Sequence, residues 1–201
     1  MRPTFPLFQS HLDLAHHNWA RRLCPNDIVI DATCGNGHDA LALAQLVIPK
    51  KGAQSPLLHI IDIQENAIDS GYRCLEQQLT APQMKAIHWY SQSHAELPTE
   101  KLPGPVSAVI YNLGYLPGGD KTVTTMTEST LPSLMQAIDL VKPGGFVSIT
   151  CYPGHEAGYI EEVAILDWTH TLDRKEYSCC HHQWTNRPGA PSLFLIQRAI
   201  P

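Results

Sequence analysis

Two acids bracket two glycines in Asp31-Ala32-Thr33-Cys34-Gly35-Asn36-Gly37-His38-Asp39. Glycines at 35 and 37 let a backbone come close to a nucleotide-like ligand, and the small Ala40 lets a helix pack tightly on a strand. A further acid, Asp62, ends the apolar run Leu57-Leu58-His59-Ile60-Ile61 at about the spacing expected of a ribose ligand. The third unusual stretch is Asn112-Leu113-Gly114-Tyr115-Leu116-Pro117-Gly118-Gly119-Asp120-Lys121. A side-chain amide oxygen followed by free backbone carbonyls can accept hydrogen bonds from an incoming amine and aim its lone pair. Asn112 with the carbonyls of Leu113 and Gly114 offers that set, and Tyr115 could cover a planar base by stacking.

These residues need elements to position them. Asp27 to Asp31 is short, apolar and β-branched, and Ala40 to Ile48 is almost wholly apolar with good helix formers, so the glycine stretch is a strand-turn-helix junction. Ahead of it, a helix is expected from Ser10, with Leu12, Ala15, Trp19 and Leu23 on one face and Pro25-Asn26 as its end. Residues 1 to 9 read as a loose arm. His11, His16, His17 and Asp13 on that helix invite a metal, but no partner ligands follow at a recognised spacing, so hydrogen-bonded or solvated histidines are expected. Further strands are expected at Leu57–Asp62, Lys85–Tyr90, Val106–Tyr111, Phe146–Cys151, Arg174–His181 and Ser192–Gln197. Between them, helices are expected over Gln64–Leu79, around Leu131, Leu134, Met135, Ile138 and Val141, and around Ile160, Val163, Ala164 and Trp168. The series implies a doubly wound α/β domain: a seven-stranded, mostly parallel sheet with an antiparallel last strand and helices on both faces. In such sheets ligands sit outside the carboxyl ends of the strands, which puts the glycine turn, Ser93-His94, the Asn112 loop and Tyr152–Gly158 at one crevice. The Gln183–Pro191 connection between the last two strands is expected to rise over it.

A chain of 201 residues suits one domain with a sizeable core. No run reaches the apolar length of a membrane span and the N-terminus has no signal-like pattern, so a cytoplasmic protein is expected. The six cysteines show no C-x-x-C spacing, which argues against disulfides and a cysteine zinc site, and most are expected in apolar surroundings. A formal net charge of -5 argues against bulk electrostatic capture of nucleic acid, leaving room for a local basic patch. The glycine turn alone fits either a dinucleotide or S-adenosylmethionine. Asp31 favours the latter, because an acid there repels a pyrophosphate but suits an ammonium and a sulfonium.

Taken together, residues 31–39, Asp62-Ile63-Gln64, Ser93-His94, Asn112 to Lys121 and Gly154-His155-Glu156-x-Gly158 resemble the family of tRNA 5-aminomethyl-(2-thio)uridine N-methyltransferases, formerly grouped as rRNA methylases. The resemblance runs from about residue 10 to residue 198. One departure is Thr33, which stands where many methyltransferases carry the first glycine of the turn. The resemblance implies a class I methyltransferase that converts 5-aminomethyl-2-thiouridine at the tRNA wobble position to its methylaminomethyl form. Asp31, Gly35, Asn36 and Gly37 would hold the methionine end of S-adenosylmethionine, with Asp39 also on the cofactor side; Asp62 and Gln64 would hold the ribose, and Ser93 and His94 the adenine edge. Asn112 would receive the amine, with Leu113, Gly114 and Tyr115 beside it. Asp120 is either an electrostatic partner for the amine or a turn acid. Lys121, Arg187, Arg21 and Arg22 are candidates for phosphate contacts. His155 either shapes the site or caps the helix after it, and the former is preferred. The anticodon stem-loop of tRNA is the expected partner, with a homodimer and no metal. The alternatives are an amine or amide methyltransferase acting on rRNA, protein or a small molecule, and a non-catalytic nucleotide- or RNA-binding module.

Overall fold

Val29 and Ile30 of the first strand face opposite ways, and this alternation builds two hydrophobic layers on one sheet. In the computed structural model, which describes residues 9–116, 118 and 124–201, the strands are β1 (Ile28–Asp31), β2 (Leu58–Asp62), β3 (Ile87–Ser91), β4 (Val106–Asn112), β5 (Val141–Cys151), β6 (Tyr177–His182) and β7 (Ser192–Arg198). Their order is β3-β2-β1-β4-β5-β7-β6. Strands β1 to β5 pair in parallel, and β7 runs antiparallel to both β5 and β6. This is the mostly parallel, doubly wound sheet expected, with the last strand reversed.

On one face, Val29, Leu58, Ile60, Ala108 and Ile110 pack under α1 (His11–Arg22), α2 (His38–Val47) and α3 (Glu65–Glu76). On the other, Ile30, Val109, Tyr111, Ile149 and Phe194 pack under α5 (Thr127–Leu140) and α6 (Glu156–His170). Because both faces are covered, β4 is buried over Val106–Tyr111, which is why its sequence is nearly continuous in apolar residues. A four-residue helix, α4 (Ala81–Met84), follows α3 and is not among those expected; a capping box between Thr80 and Gln83 opens it.

The first helix forms as expected. Ser10 caps it, its hydroxyl accepting from the Asp13 amide at 3.1 Å, and Ala15, Trp19 and Leu23 are buried. Other expectations shift. Met135, Ile160 and Val163 are exposed rather than core-facing, and Val141 belongs to β5. Cys24, Cys179 and Cys180 are exposed, so only part of the cysteine set behaves as core; all six are free thiols. No described helix is long and apolar enough to cross a membrane.

The sheet order reverses between β1 and β4, and the strand ends there define the crevice. Asp31 lies in register with Ile60 of β2 and Ile110 of β4, so Asp31, Asp62 and Asn112 all reach the same edge. Gly37, with φ of 81°, precedes α2 in a left-handed conformation, and a Cβ on it would come within 2.7 Å of the Gly71 Cα. A side chain at Gly71 would in turn collide with the Cys34 sulfur. The turn therefore needs its glycine both for φ and for the close approach of α3.

Candidate active site

Asp31 is 1 % exposed at the end of β1. One carboxylate oxygen accepts from the Thr33 amide at 3.2 Å, while the other is buried with no hydrogen-bond partner. Burial first, then the neighbouring charges of Asp39 and Asp62, push its pKa up to about 8, against the pull of the Thr33 hydrogen bond. An orphaned acidic oxygen in a pocket of like charge calls for a cationic ligand, so the residues present fit a donor that carries an ammonium and a sulfonium.

Asp62, at the end of β2, ties two backbone turns together. It accepts from the Gly35 amide at 3.0 Å and from the Gln64 amide at 2.9 Å. Each carboxylate oxygen has a second lone pair, so the side chain can still take ribose hydroxyls while holding the glycine turn in place. Asp62→Ala is expected to weaken cofactor binding by about tenfold or more, through a lost ionic acceptor and a loosened turn. Isothermal titration with S-adenosylhomocysteine checks this; unchanged affinity contradicts the ribose assignment.

Asn112 is held at both ends. Its amide N–H donates to the Thr33 hydroxyl at 2.7 Å, and its side-chain Nδ2 donates to Asp39 at 2.9 Å. Thr33, the departure from the usual glycine, thus joins the first turn to the end of β4. The other Asp39 oxygen lies 2.6 Å from Nε2 of His16, and this hydrogen bond raises the His16 pKa. The Tyr152 hydroxyl also hydrogen-bonds the Asn112 side chain, and it lies 3.2 Å from Nε2 of His11. Burial pushes the Tyr152 pKa up to about 12, so it stays a neutral phenol. Two of the N-terminal histidines are therefore hydrogen-bonded into the crevice.

The loop after Asn112 is clasped at its base. The Gly114 amide donates to the Thr125 hydroxyl at 2.9 Å, the Thr125 amide donates back to the Gly114 carbonyl at 3.1 Å, and Tyr115 bridges Thr124. The Thr125 and Thr130 hydroxyls donate to the two oxygens of Glu161 at 2.8 and 2.6 Å. Glu161 is 2 % exposed, and its burial outweighs these bonds and holds its pKa up. Leu113 is buried and its amide is spent on the Thr150 carbonyl at 2.9 Å.

His155 caps α6, its Nδ1 accepting from the Gly158 amide at 3.2 Å. The capping alternative is thus realised, although the ring also stands 6.0 Å from that of Tyr115, which is partly exposed. Ser93 accepts from the Ala95 amide at 3.2 Å. His94 turns toward α5, 3.3 Å from the Thr130 hydroxyl, and burial lowers its pKa to about 4, so it is neutral. In the connection between β6 and β7, Arg187 stacks 4.0 Å over the Trp184 ring, and Gly189 packs against Gly154 at the exit of β5, so this loop does reach the crevice side. Arg22 instead donates to the Gly144 carbonyl at 3.3 Å, and Gly144 sits at the far end of β5 from its crevice exit. Asp120 and Lys121 lie outside the described residues.

Sequence reading placed Tyr152 at the crevice without giving it a role, and missed His11, His16, Thr33 and Glu161 as parts of this site. Glu161 had a signal: it occupies the buried stripe Gly158, Glu161, Ile165, Trp168 of α6, where an acid is out of place without partners.

Three comparisons bear on the identity of this arrangement. The model of the family described as "Putative rRNA methylase" matches residues 58–198. Among curated proteins, the chain is 35 % identical over 189 residues to tRNA (mnm(5)s(2)U34)-methyltransferase, chloroplastic, of Arabidopsis thaliana, covering 92 % of this chain and 69 % of that one. Among solved structures, an rRNA-methylase from Clostridium thermocellum is 29 % identical with a TM-score of 0.86, covering 95 % of this chain and 98 % of its own. SMU.1697c, a methyltransferase from Streptococcus mutans solved in complex with SAH, is also 29 % identical with a TM-score of 0.80, covering 95 % and 99 %. With a glycine turn beside an unpaired buried acid and a carboxamide at the neighbouring strand end, the chain belongs to the rRNA methylase family of class I, S-adenosylmethionine-dependent methyltransferases, together with the plant tRNA methyltransferase it resembles over most of its length.

Proposed function

We propose that this enzyme methylates the amine of 5-aminomethyl-2-thiouridine at the wobble position of tRNA, giving the 5-methylaminomethyl nucleoside. The observation that carries the reading is Asn112: its backbone is held by Thr33 and its carboxamide by Asp39, at the same sheet edge as the orphaned oxygen of Asp31. The similarity to the plant tRNA enzyme over 92 % of the chain supports the choice of substrate.

When bound, S-adenosylmethionine supplies an electrophilic methyl group on a sulfonium. Asp31 takes its cationic methionine end, Gly35 and Gly37 give it backbone approach, Asn36 and Asp39 line the same turn, and Asp62 with Gln64 takes the ribose. Ser93 and His94 stand at the adenine side. On the acceptor side, the Asn112 carboxamide oxygen and the Leu113 carbonyl receive amine hydrogens, with Gly114, whose carbonyl already accepts from Thr125, next to them. An amine held by two N–H bonds points its remaining lone pair away from those acceptors, and alignment of this kind supplies much of the rate of an in-line displacement. An ammonium has no lone pair to offer, so only the neutral amine is productive. Tyr115, next to His155, stacks on the base. Arg187 and Lys121 contact phosphates, and a homodimer brings a second set of cations to an RNA that a single acidic chain attracts weakly. This reading places the enzyme with its tRNA in the cytoplasm.

The test is incubation with S-adenosylmethionine and tRNA from cells lacking the final methylation, followed by nucleoside mass analysis. Conversion of the aminomethyl to the methylaminomethyl nucleoside is the expected result. Methyl transfer to rRNA, protein or a small amine in its place overturns the assignment of substrate.

A further inference from the structure

Asp39 is a carboxylate shared by two donors from distant parts of the chain. Asn112 Nδ2 reaches one oxygen at 2.9 Å from the end of β4, and His16 Nε2 reaches the other at 2.6 Å from α1. Asp39 lies in the first turn of α2, where the helix N-terminus favours negative charge, and it is 8 % exposed, so water competes poorly for its oxygens. The His16 ring is itself set by the core: it packs 4.6 Å from the ring of Trp19, which is 1 % exposed.

The two ends of a carboxamide are nearly the same shape, so packing alone does not decide which way it faces; hydrogen-bond partners do. An ionised carboxylate only accepts. Asp39 therefore demands the Nδ2 end of Asn112 and turns Oδ1 the other way. A flipped Asn112 would present N–H to the substrate amine, and that N–H would take up the lone pair needed for methyl transfer. Asp39 can impose the choice only while its own rotamer is fixed, and the charge-assisted contact with His16 fixes it.

We infer that His16 is a positioning residue for methyl transfer: by holding Asp39, it fixes the Asn112 carboxamide with its oxygen toward the acceptor amine. The inference rests on the reading of Asn112 given above. It also gives α1 a part in the reaction, although that helix lies outside residues 58–198 matched by the family model.

The experiment compares His16→Leu, His16→Gln, Asp39→Asn, the Asp39→Asn/His16→Leu double variant and Asn112→Ala. At saturating S-adenosylmethionine and tRNA, His16→Leu is expected to lower kcat about tenfold, a usual effect of losing a partner one step removed from the reacting atoms. KM and cofactor affinity stay as in the parent, and Tm falls by only a few degrees, the size expected for one lost hydrogen bond. His16→Gln keeps an N–H donor and recovers most of the loss. In the Asp39→Asn background, His16→Leu costs nothing further, because the residue through which it acts has lost its directing charge. Independently of any substrate, the side-chain amide resonances of Asn112, identified by their disappearance in Asn112→Ala, shift in His16→Leu and stay put in His16→Gln. Full turnover by His16→Leu, an undiminished second loss in the Asp39→Asn background, or amide resonances indifferent to His16 each overturn the inference. Normal turnover by Asn112→Ala overturns the reading of Asn112 beneath it, and the amide signal tells the two failures apart.

Discussion

Replacing Asn112 with alanine is expected to lower turnover about 100-fold or more while leaving cofactor affinity within a few fold, the size of loss that follows when a reacting group is misplaced by about an ångström. The side chain faces Asp39 and Tyr152 rather than the orphaned oxygen of Asp31, so the donor side of the crevice survives its removal. The strand end survives as well, since the backbone bond to Thr33 does not need the carboxamide. Single-turnover kinetics with tRNA, paired with titration of S-adenosylhomocysteine, separate the two quantities; equal loss of both makes the residue structural. Asn112→Asp sharpens the test. A carboxylate there meets Asp39 as a like charge and prefers the ammonium form of the acceptor, so activity falls although the shape is kept.

The second large effect belongs to Asp31. Its folded pKa of about 8 stands above the ordinary 3.8, so the ligand-free folded protein holds a proton that the unfolded chain has released across that window. The carboxyl therefore favours the folded state least at high pH: stability from this group falls as pH rises from about 4 to about 8 and levels off above. Asp31→Asn removes that loss, and at pH 8 the ligand-free variant is expected to melt above the parent, by about 2–4 °C for each kcal/mol regained. The same change removes the acid that meets the cofactor's positive charge, so affinity for S-adenosylmethionine falls by about 100-fold or more. Binding to the parent below pH 8 must expel the Asp31 proton, and affinity there rises by up to about tenfold per pH unit. Calorimetric titrations in buffers of different ionisation enthalpy count that proton. A variant that binds normally, or a parent that releases no proton at pH 7, sinks the assignment.

The parts of the molecule that were readable beforehand are those written into local pattern. β1 and β4 are apolar on both faces because helices cover both, so their runs stood out, and a doubly wound order then forces Asp31, Asp62 and Asn112 onto one edge. What stayed hidden depends on contacts across long separations. His16 meets Asp39 across 23 residues and His11 meets Tyr152 across 141, and neither spacing leaves a trace in periodicity. Thr33 departs from a glycine pattern, and only the folded chain, in which the Asn112 backbone donates to its hydroxyl, gives that departure a purpose. The exposed Met135 and Ile160 misled in the opposite sense, since helical period alone does not say how wide the covered stripe is.

Glu161 gives the acceptor side a different suspension from the donor side. The donor turn hangs from β1 and β2 through Asp62, whereas the base of the loop after Asn112 is slung, through Thr125, from a carboxylate on α6 that also grips α5. On the proposed reading, the cradle of the amine is thus tied to the helical layer and the seat of the methyl donor to the sheet.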